Sequence, residues 1–282
     1  MSSIAPETTG ISENDLWRCV ACGGAAEMAG GGERLACPTC GRSYPIEAGV
    51  LVVHDPKEIK DNNRVAATFY DSPLWPKFRF WEWVTFLCNG GERRSRNKIL
   101  RHLPDLDGIR LLDVAIGDGV YLPWLQKSWS VVGVDLSRSQ LSACQKRDSG
   151  PSLRLILGEA ENLPVRDATF DAALSIGGFN YFNDPEKALC EMARVVKPGG
   201  TIVVSDEVPN LTDRMFFRKI GLPGVDRWII SKMLHLGDDF TDMVERYRSL
   251  DVEAIGRRVL PGCRYERIWH GVGYVLIGTV PS

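Results

Sequence analysis

Four cysteines among the first forty residues are spaced to hold a metal. Cys19-Val20-Ala21-Cys22-Gly23 and Cys37-Pro38-Thr39-Cys40-Gly41 are matched knuckles with fourteen residues between them, close to the usual spacing of four-cysteine zinc sites. The glycine after each pair permits the positive φ that turns backbone N–H groups toward the sulfurs. Four thiolates at Cys19, Cys22, Cys37 and Cys40 leave no open coordination position. The expected zinc is therefore structural, folding a ribbon whose own core is small. Reduced thiols or disulfides are the competing reading.

A second set of residues surrounds a glycine turn. Leu111 to Leu125 reads LLDVAIGDGVYLPWL, and Val131 to Ser137 reads VVGVDLS. The first segment opens as a buried strand, and Gly117 and Gly119 then let the backbone approach a nucleotide cofactor without Cβ atoms in the way. Val120, Leu122 and Leu125 keep apolar residues on one helical face, so a helix is expected next, its first amides free to face the ligand. Asp135 closes the second strand, where it can accept bonds from ribose hydroxyls. Ala115 stands where a dinucleotide fingerprint has its first glycine.

These residues need a frame, and the following segments repeat strand, turn and helix. Leu153 to Pro164 gives a third strand ending at Glu159, and Phe170 to Gly178 gives a fourth. Asp184-Pro185 caps a helix through Ala188, Leu189, Met192, Val195 and Val196, and Lys197 to Gly200 stops it. Thr201 to Glu207 is the fifth strand. Leu211 to Leu250 reads as two helices capping the site mouth, broken at Pro223-Gly224, and Val252 to Leu260 and Gly273 to Val280 read as the last two strands. Ahead of the frame, Ser43 to Val53 reads as a hairpin closing the ribbon. Phe69, Tyr70, Trp75, Phe78, Phe80, Trp81, Trp83 and Phe86 suggest a helical lid, with ordinary packing as the alternative. Gly90 to Leu103 carries five basic residues, read as a solvated helix face, with phosphate or anionic lipid as the alternative contact.

This order, with acids at the ends of strands one, two and three, resembles the class I S-adenosylmethionine-dependent methyltransferases, especially those related to the ubiquinone and menaquinone methyltransferases. The resemblance covers residues 65 to 207 well and the C-terminal part in outline. It implies an α/β, Rossmann-like seven-stranded methyltransferase sheet whose final strand is antiparallel, with a small N-terminal zinc-ribbon domain and a helical cap. The implied boundaries are residues 1–56 for the ribbon, 57–108 for the lid and linker, and 109–282 for the methyltransferase domain, with the cap insertion at about 211–250. Asp113 to Gly119, including Ala115 and Asp118, matches the first cofactor-binding motif, with Gly117 and Gly119 under the methionine half of S-adenosylmethionine. Asp135, with Leu136, matches the ribose position, and Glu159, with the Ala160 amide, matches the adenine position. Ser175 to Gly177 match the segment facing the sulfonium, and Tyr70 resembles a residue that covers the methionine end. The ribbon is similar to the zinc-ribbon activator subunits of tRNA and translation-factor methyltransferases, and to the fused ribbon of a bacterial guanine-N1 rRNA methyltransferase.

Composition bounds the partners. With 282 residues, 44% hydrophobic and 25% charged, the chain suits a globular protein with one large core and a small appendage. A net charge of -2 argues against a generally basic nucleic-acid surface. The first fifteen residues lack a basic start and an apolar run, so no signal peptide and a cytoplasmic protein are expected. No apolar stretch approaches a membrane span, which leaves peripheral membrane contact open. Cys88, Cys144, Cys190 and Cys263 read as buried small hydrophobes, and His54, His102, His235 and His270 lack metal spacing. His235 and His270 are weighed between a substrate cavity and a structural role.

The resemblance implies methyl transfer to a small hydrophobic acceptor: a quinone, lipid, isoprenoid, aromatic or polyketide-type metabolite. An RNA base methyltransferase using the ribbon to hold structured RNA is the first alternative. Gly177-Gly178-Phe179-Asn180-Tyr181 lacks the Asn-Pro-Pro-aromatic signature of enzymes methylating exocyclic amines, which lowers it. A non-catalytic cofactor-binding protein docking a partner is the second alternative. No catalytic side chain is identified by the sequence.

Overall fold

The computed structural model describes residues 16–54, 59–147, 150–214, 220–229, 231 and 237–282. The ribbon contributes strands β1 (Glu27–Ala29), β2 (Arg34–Ala36), β3 (Ser43–Glu47) and β4 (Val50–Val52). β3 and β4 form the expected hairpin around Ala48-Gly49, both at positive φ, as a two-residue turn matched to strand twist requires. This hairpin does not close off a separate sheet. β4 pairs parallel with a strand of the main sheet, Val50 opposite Leu155 and Val52 opposite Leu157.

Three helices follow: α1 (Asp61–Tyr70), α2 (Trp75–Cys88) and α3 (Glu92–Leu100). The main sheet then runs through β5 (Arg110–Val114), β6 (Ser130–Asp135), β7 (Ser152–Leu157), β8 (Phe170–Ile176), β9 (Val196–Glu207), β10 (Arg264–Ile268) and β11 (Gly273–Thr279). Its order, β7-β6-β5-β8-β9-β11-β10, contains the expected seven strands, and the ribbon extends it to eleven. β5 to β9 are parallel and β11 is antiparallel to β9. Parallel strands are covered on both faces and so read as apolar runs. Helix α5 (Pro185–Val195), after α4 (Arg138–Gln145), covers one face with Ala188, Leu189 and Met192. On the other face Ile99 of α3 and Leu141 of α4 pack with Leu111 and Val131.

Two segments differ from the sequence-based expectation. Val252 to Leu260, expected as a strand, is a helix over Val252–Val259. Asp251 caps it by accepting from the Ala254 amide at 2.9 Å, and Val252, Ile255 and Gly256 form its buried face. That spacing is helical, and the penultimate strand is β10 instead. The helix expected after Gly119 is replaced by turns and a single 3-10 turn at Leu122–Trp124. Only Val120 to Trp129 separates the glycine loop from β6, and Pro123 removes a donor, so a full helix does not fit.

In the cap, Pro223 begins the helix Pro223–Trp228 rather than breaking one, and a second helix spans Gly237–Tyr247. His235 lies outside the described residues. Cys144 is buried as expected, but Cys88 and Cys190 are exposed. Among the described residues no helix is long and apolar enough to cross a membrane.

Candidate active site and metal centre

A cavity of about 570 Å³ opens at the C-terminal ends of β5, β6, β8 and β9, where open parallel sheets place their ligands. The glycine loop forms its floor. Ala115 takes φ 61° and Gly117 φ 56°, so alanine adopts the left-handed geometry a glycine would, at a cost of roughly 1 kcal/mol. The facing residue must then be small, since a Cβ on Gly178 would lie 2.3 Å from the Ala115 Cβ. Gly119 is enclosed differently: a Cβ there would meet Cys144 Sγ and Leu122 at 2.6 Å. It serves packing and does not line the cavity.

Asp135 braces this loop. Its Oδ2 accepts from the Gly117 amide at 2.8 Å and its Oδ1 from the Ser137 amide at 2.9 Å. Burial pushes its carboxyl up to about 6, against those amide bonds. Each oxygen keeps a lone pair for a hydroxyl in the cavity, which Asp135 and Leu136 line. Nearby, Gln140 lines the same wall, and its buried Oε1 has no partner among the described residues.

The carried-over positions divide into two groups. Tyr70, Ala115, Gly117, Asp118, Asp135, Leu136, Ala160 and Gly177 line the cavity, and the Tyr70 hydroxyl donates to the Gly177 carbonyl at 3.1 Å. Asp113, Glu159 and Ser175 do not. Asp113 is fully buried, with both oxygens accepting from the Tyr121 hydroxyl at 3.0 and 2.9 Å, and burial lifts it to about 8. Glu159 accepts from Asn63 Nδ2 at 3.1 Å and lies 3.7 Å from His54 Nδ1. The Ser175 hydroxyl is buried without a partner among the described residues. His270 is exposed and lies off the cavity.

The lid is held by residues that the sequence did not single out. Asn63 of α1 donates through Nδ2 to Glu161 at 3.2 Å and to Glu159, and it exchanges bonds with Asn183. Burial raises the Glu161 carboxyl above its ordinary value. At the other end of α1, Asp71 accepts from Ser137 and Ser139 hydroxyls at 2.6 and 2.5 Å, pinning the lid beside Asp135. Phe69, Tyr70, Trp75 and Phe78 pack edge to face or stacked and line the cavity. Arg96, expected on a solvated face, is instead buried. It bonds Glu82 and Glu92, and its guanidinium lies 5.0 Å from the Phe86 ring centre.

Two adjacent acids end β9 in the cavity wall. Asp206 is buried and accepts from the Asn180 amide at 3.0 Å. Beside it, Glu207 Oε1 accepts from the hydroxyls of Tyr181 and, at 2.7 Å, of Tyr247. These residues lie 26 and 40 positions from Glu207, so no local pattern in the sequence brings them together.

At the ribbon, the four Sγ atoms of Cys19, Cys22, Cys37 and Cys40 lie within 4.8 Å of one another. Cys19 and Cys40 are 3.7 Å apart, Cys22 and Cys37 3.5 Å. Disulfide sulfurs are about 2.05 Å apart, so these are not bonded pairs. The Tyr44 hydroxyl is 3.2 Å from Cys19 Sγ.

Comparison with known families agrees with the sheet and the loop. Residues 112–204 match the methyltransferase domain family. The match runs from β5 to β9, the strands that carry the glycine loop and the cavity. It is similar to a demethylmenaquinone methyltransferase of Renibacterium salmoninarum, 37% identical over 52% of this chain and 60% of that protein. Similarity also extends to a phthiotriol/phenolphthiotriol dimycocerosates methyltransferase of Mycobacterium ulcerans, 34% identical over 38% of this chain and 40% of that one. The chain thus spans about two to three fifths of the length of these curated relatives. Among solved structures, it overlaps a complex of the Haloferax volcanii Trm112 methyltransferase activator and a putative methyltransferase. That overlap has a TM-score of 0.43 and 19% identity, covering 69% of this chain and 94% of that one.

Proposed function

We propose that this protein transfers the methyl group of S-adenosylmethionine to a small hydrophobic acceptor of the quinone or lipid class. The observation that carries this reading is one apolar cavity shared by the glycine loop, Asp135 and the aromatic lid. Its volume suits a cofactor end and a compact acceptor. The names of the relatives point the same way, toward quinone and lipid acceptors.

The residues present fit the cofactor. Asp135 offers two acceptor oxygens to ribose hydroxyls, and the orphaned Gln140 Oε1 offers a third acceptor beside them. Gly177 is bare toward the cavity, a Cβ there meeting nothing within 4 Å. When bound, S-adenosylmethionine supplies a methyl already activated on a sulfonium. The protein then has to align the acceptor and exclude water. Tyr70, held on Gly177, and Trp75 and Phe78 behind it would close the site against solvent. Trp81 lines the cavity yet is 43% exposed, and Phe80 and Trp83 beside it are also exposed. This apolar apron at the mouth supports loading from a lipid surface by peripheral contact.

The four thiolates fit zinc. In a tetrahedron with Zn–S of about 2.3 Å the sulfurs lie about 3.8 Å apart, near the two separations in the ribbon. All four positions come from cysteine, so the role is structural.

Calorimetry tests the cofactor reading. The wild type should bind S-adenosylmethionine, and Asp135→Ala should weaken this about thirtyfold, the loss of a charged acceptor of about 2 kcal/mol. The ionised carboxylate accepts both hydroxyls, so affinity should fall as pH drops through about 6, the value to which burial lifts Asp135. Asp135→Asn should remove that limb. Unchanged binding in Asp135→Ala sinks the assignment, and label from S-adenosylmethionine entering RNA in place of apolar extracts overturns the acceptor class.

A further inference from the structure

Resting on the reading above, we propose that Glu207 is the general base of the transfer and that the acceptor is a neutral molecule bearing a weakly acidic hydroxyl, a phenol or hydroquinone. Glu207 ends β9 in the cavity wall. Its Oε1 is filled by two phenols, from Tyr181 on the loop after β8 and from Tyr247 on the helix Gly237–Tyr247. The two rings meet edge to face at 5.1 Å. Two donors on one oxygen fix the carboxylate plane, and the Asp206 carboxyl lies in side-chain contact with it.

Among the described residues no cation neutralises this carboxylate. The arginines that line the cavity, Arg79 and Arg96, are taken by Glu82 and Glu92 at its other end. Glu207 has no ion pair among the described residues. Burial, with the neighbouring Glu207 second, raises the Asp206 carboxyl well above the ordinary carboxylate range. A negative group left unpaired in an apolar pocket is costly, and a proton donor in the same pocket is its natural partner. Tyr70, which reaches Gly177 at the end of β8, lies within electrostatic reach of Asp135, Asp206 and Glu207. Tyr70, Asp135 and Glu207 line one cavity, which the acceptor would share with the cofactor.

The step balances within the site. The acceptor O–H bond breaks and its proton passes to the Glu207 carboxylate. The electron pair left on oxygen, or on the ring carbon conjugated with it, forms the new bond to the methyl carbon. The carbon–sulfur bond breaks and its pair stays on sulfur, giving a neutral thioether. A catalytic base of this kind contributes about 10²–10⁴ in rate.

The structural alternative is that Glu207 only ties Tyr181 and Tyr247 to the sheet. Glu207→Gln separates the two roles, because the amide oxygen still accepts from both phenols but takes no proton. The full-length protein with S-adenosylmethionine would be assayed on 1-naphthol, neutral at pH 7, and on 2-hydroxy-1,4-naphthoquinone, already ionised there. Glu207→Gln should keep wild-type cofactor affinity by calorimetry. It should lose at least about 100-fold in kcat on the naphthol, with KM little changed, and less than about tenfold on the ionised probe. The naphthol deficit should shrink as pH rises toward the probe's own ionisation. Equal losses on both probes, or full activity on the naphthol, overturn the base. Wild-type protein that binds the cofactor but methylates neither probe overturns the acceptor class and the base with it. Failure of cofactor binding in the wild type breaks the parent reading instead.

Discussion

The ribbon and the lid reach the same sheet by opposite means. The ribbon draws its order from four short side chains within one local stretch, Cys19 to Cys40, around a point where a metal fits. The lid draws its order from residues far apart in sequence: Asn63 with Glu161 and Asn183, Asp71 with Ser137, Tyr70 with Gly177. A local cluster is all or nothing, since removing one ligand opens the whole site. A dispersed set of hydrogen bonds loses strength one bond at a time, each worth about 1 kcal/mol net. The two regions should therefore fail differently.

The largest effect is expected at the ribbon. Wild-type protein should carry one zinc per chain by elemental analysis, and Cys37→Ser should carry almost none. Structural zinc contributes on the order of 10 kcal/mol of apparent binding free energy in small ribbons, comparable with the whole stability of a domain. β4 is hydrogen-bonded to β7, so metal loss should lower the melting temperature of the main sheet as well as unfold the ribbon. Equal zinc in both proteins would rule out the four-cysteine site. Unchanged melting of the main sheet would show that the β4–β7 pairing carries little of the coupling.

What the sequence shows follows the same division. The knuckles, the glycine loop, the Asp184 cap and six of the seven main strands, all but β10, were legible because each is written in adjacent residues, and the structure bears them out. The helix Val252–Val259 was misread because its apolar residues are few and β-branched, while its decisive signal, Asp251 as N-cap, is a single residue. Arg96 was read as solvated because three of its four ring and carboxylate partners, Glu82, Phe86 and Tyr121, come from α2 and the loop after β5. Glu207 with its two tyrosines was invisible for a stronger reason: three chain segments must fold before the group exists. The continuation of the ribbon into the main sheet was hidden likewise, since nothing in Val50 to Val52 names Leu155 as its partner.

The middle effect is expected at the lid. Asn63→Ala removes donors from Glu161 and Glu159 and the reciprocal bonds with Asn183. Glu161 keeps the Asn183 and Asp184 amides, so the loss should be about 1–3 kcal/mol rather than collapse. Because α1 bears Phe69 and Tyr70 over the cavity, acceptor KM should rise more than the dissociation constant for S-adenosylmethionine. Denaturant melts beside steady-state kinetics check this. A drop as cooperative and complete as that of Cys37→Ser would mean that the lid, too, depends on a single point.

The smallest effect is expected where the family resemblance and the geometry part. The resemblance implies that Glu159 reads the adenine edge, yet its carboxylate is turned to Asn63 and His54 and does not line the cavity. Ala160, next to it, does. Glu159→Ala leaves Asn63 bonded to Glu161 and removes a partly exposed side chain, so stability should change by less than about 1 kcal/mol. The dissociation constant for S-adenosylmethionine should move by less than about threefold, because a side chain outside the cavity contributes through its neighbours only. Calorimetry on the variant decides between the two placements. A loss of tenfold or more would mean that Glu159 leaves Asn63 when the cofactor arrives, and the bond it gives up is one of those that hold α1. Cofactor binding would then loosen the lid before the acceptor enters, coupling the two halves of the site that the fold otherwise keeps apart.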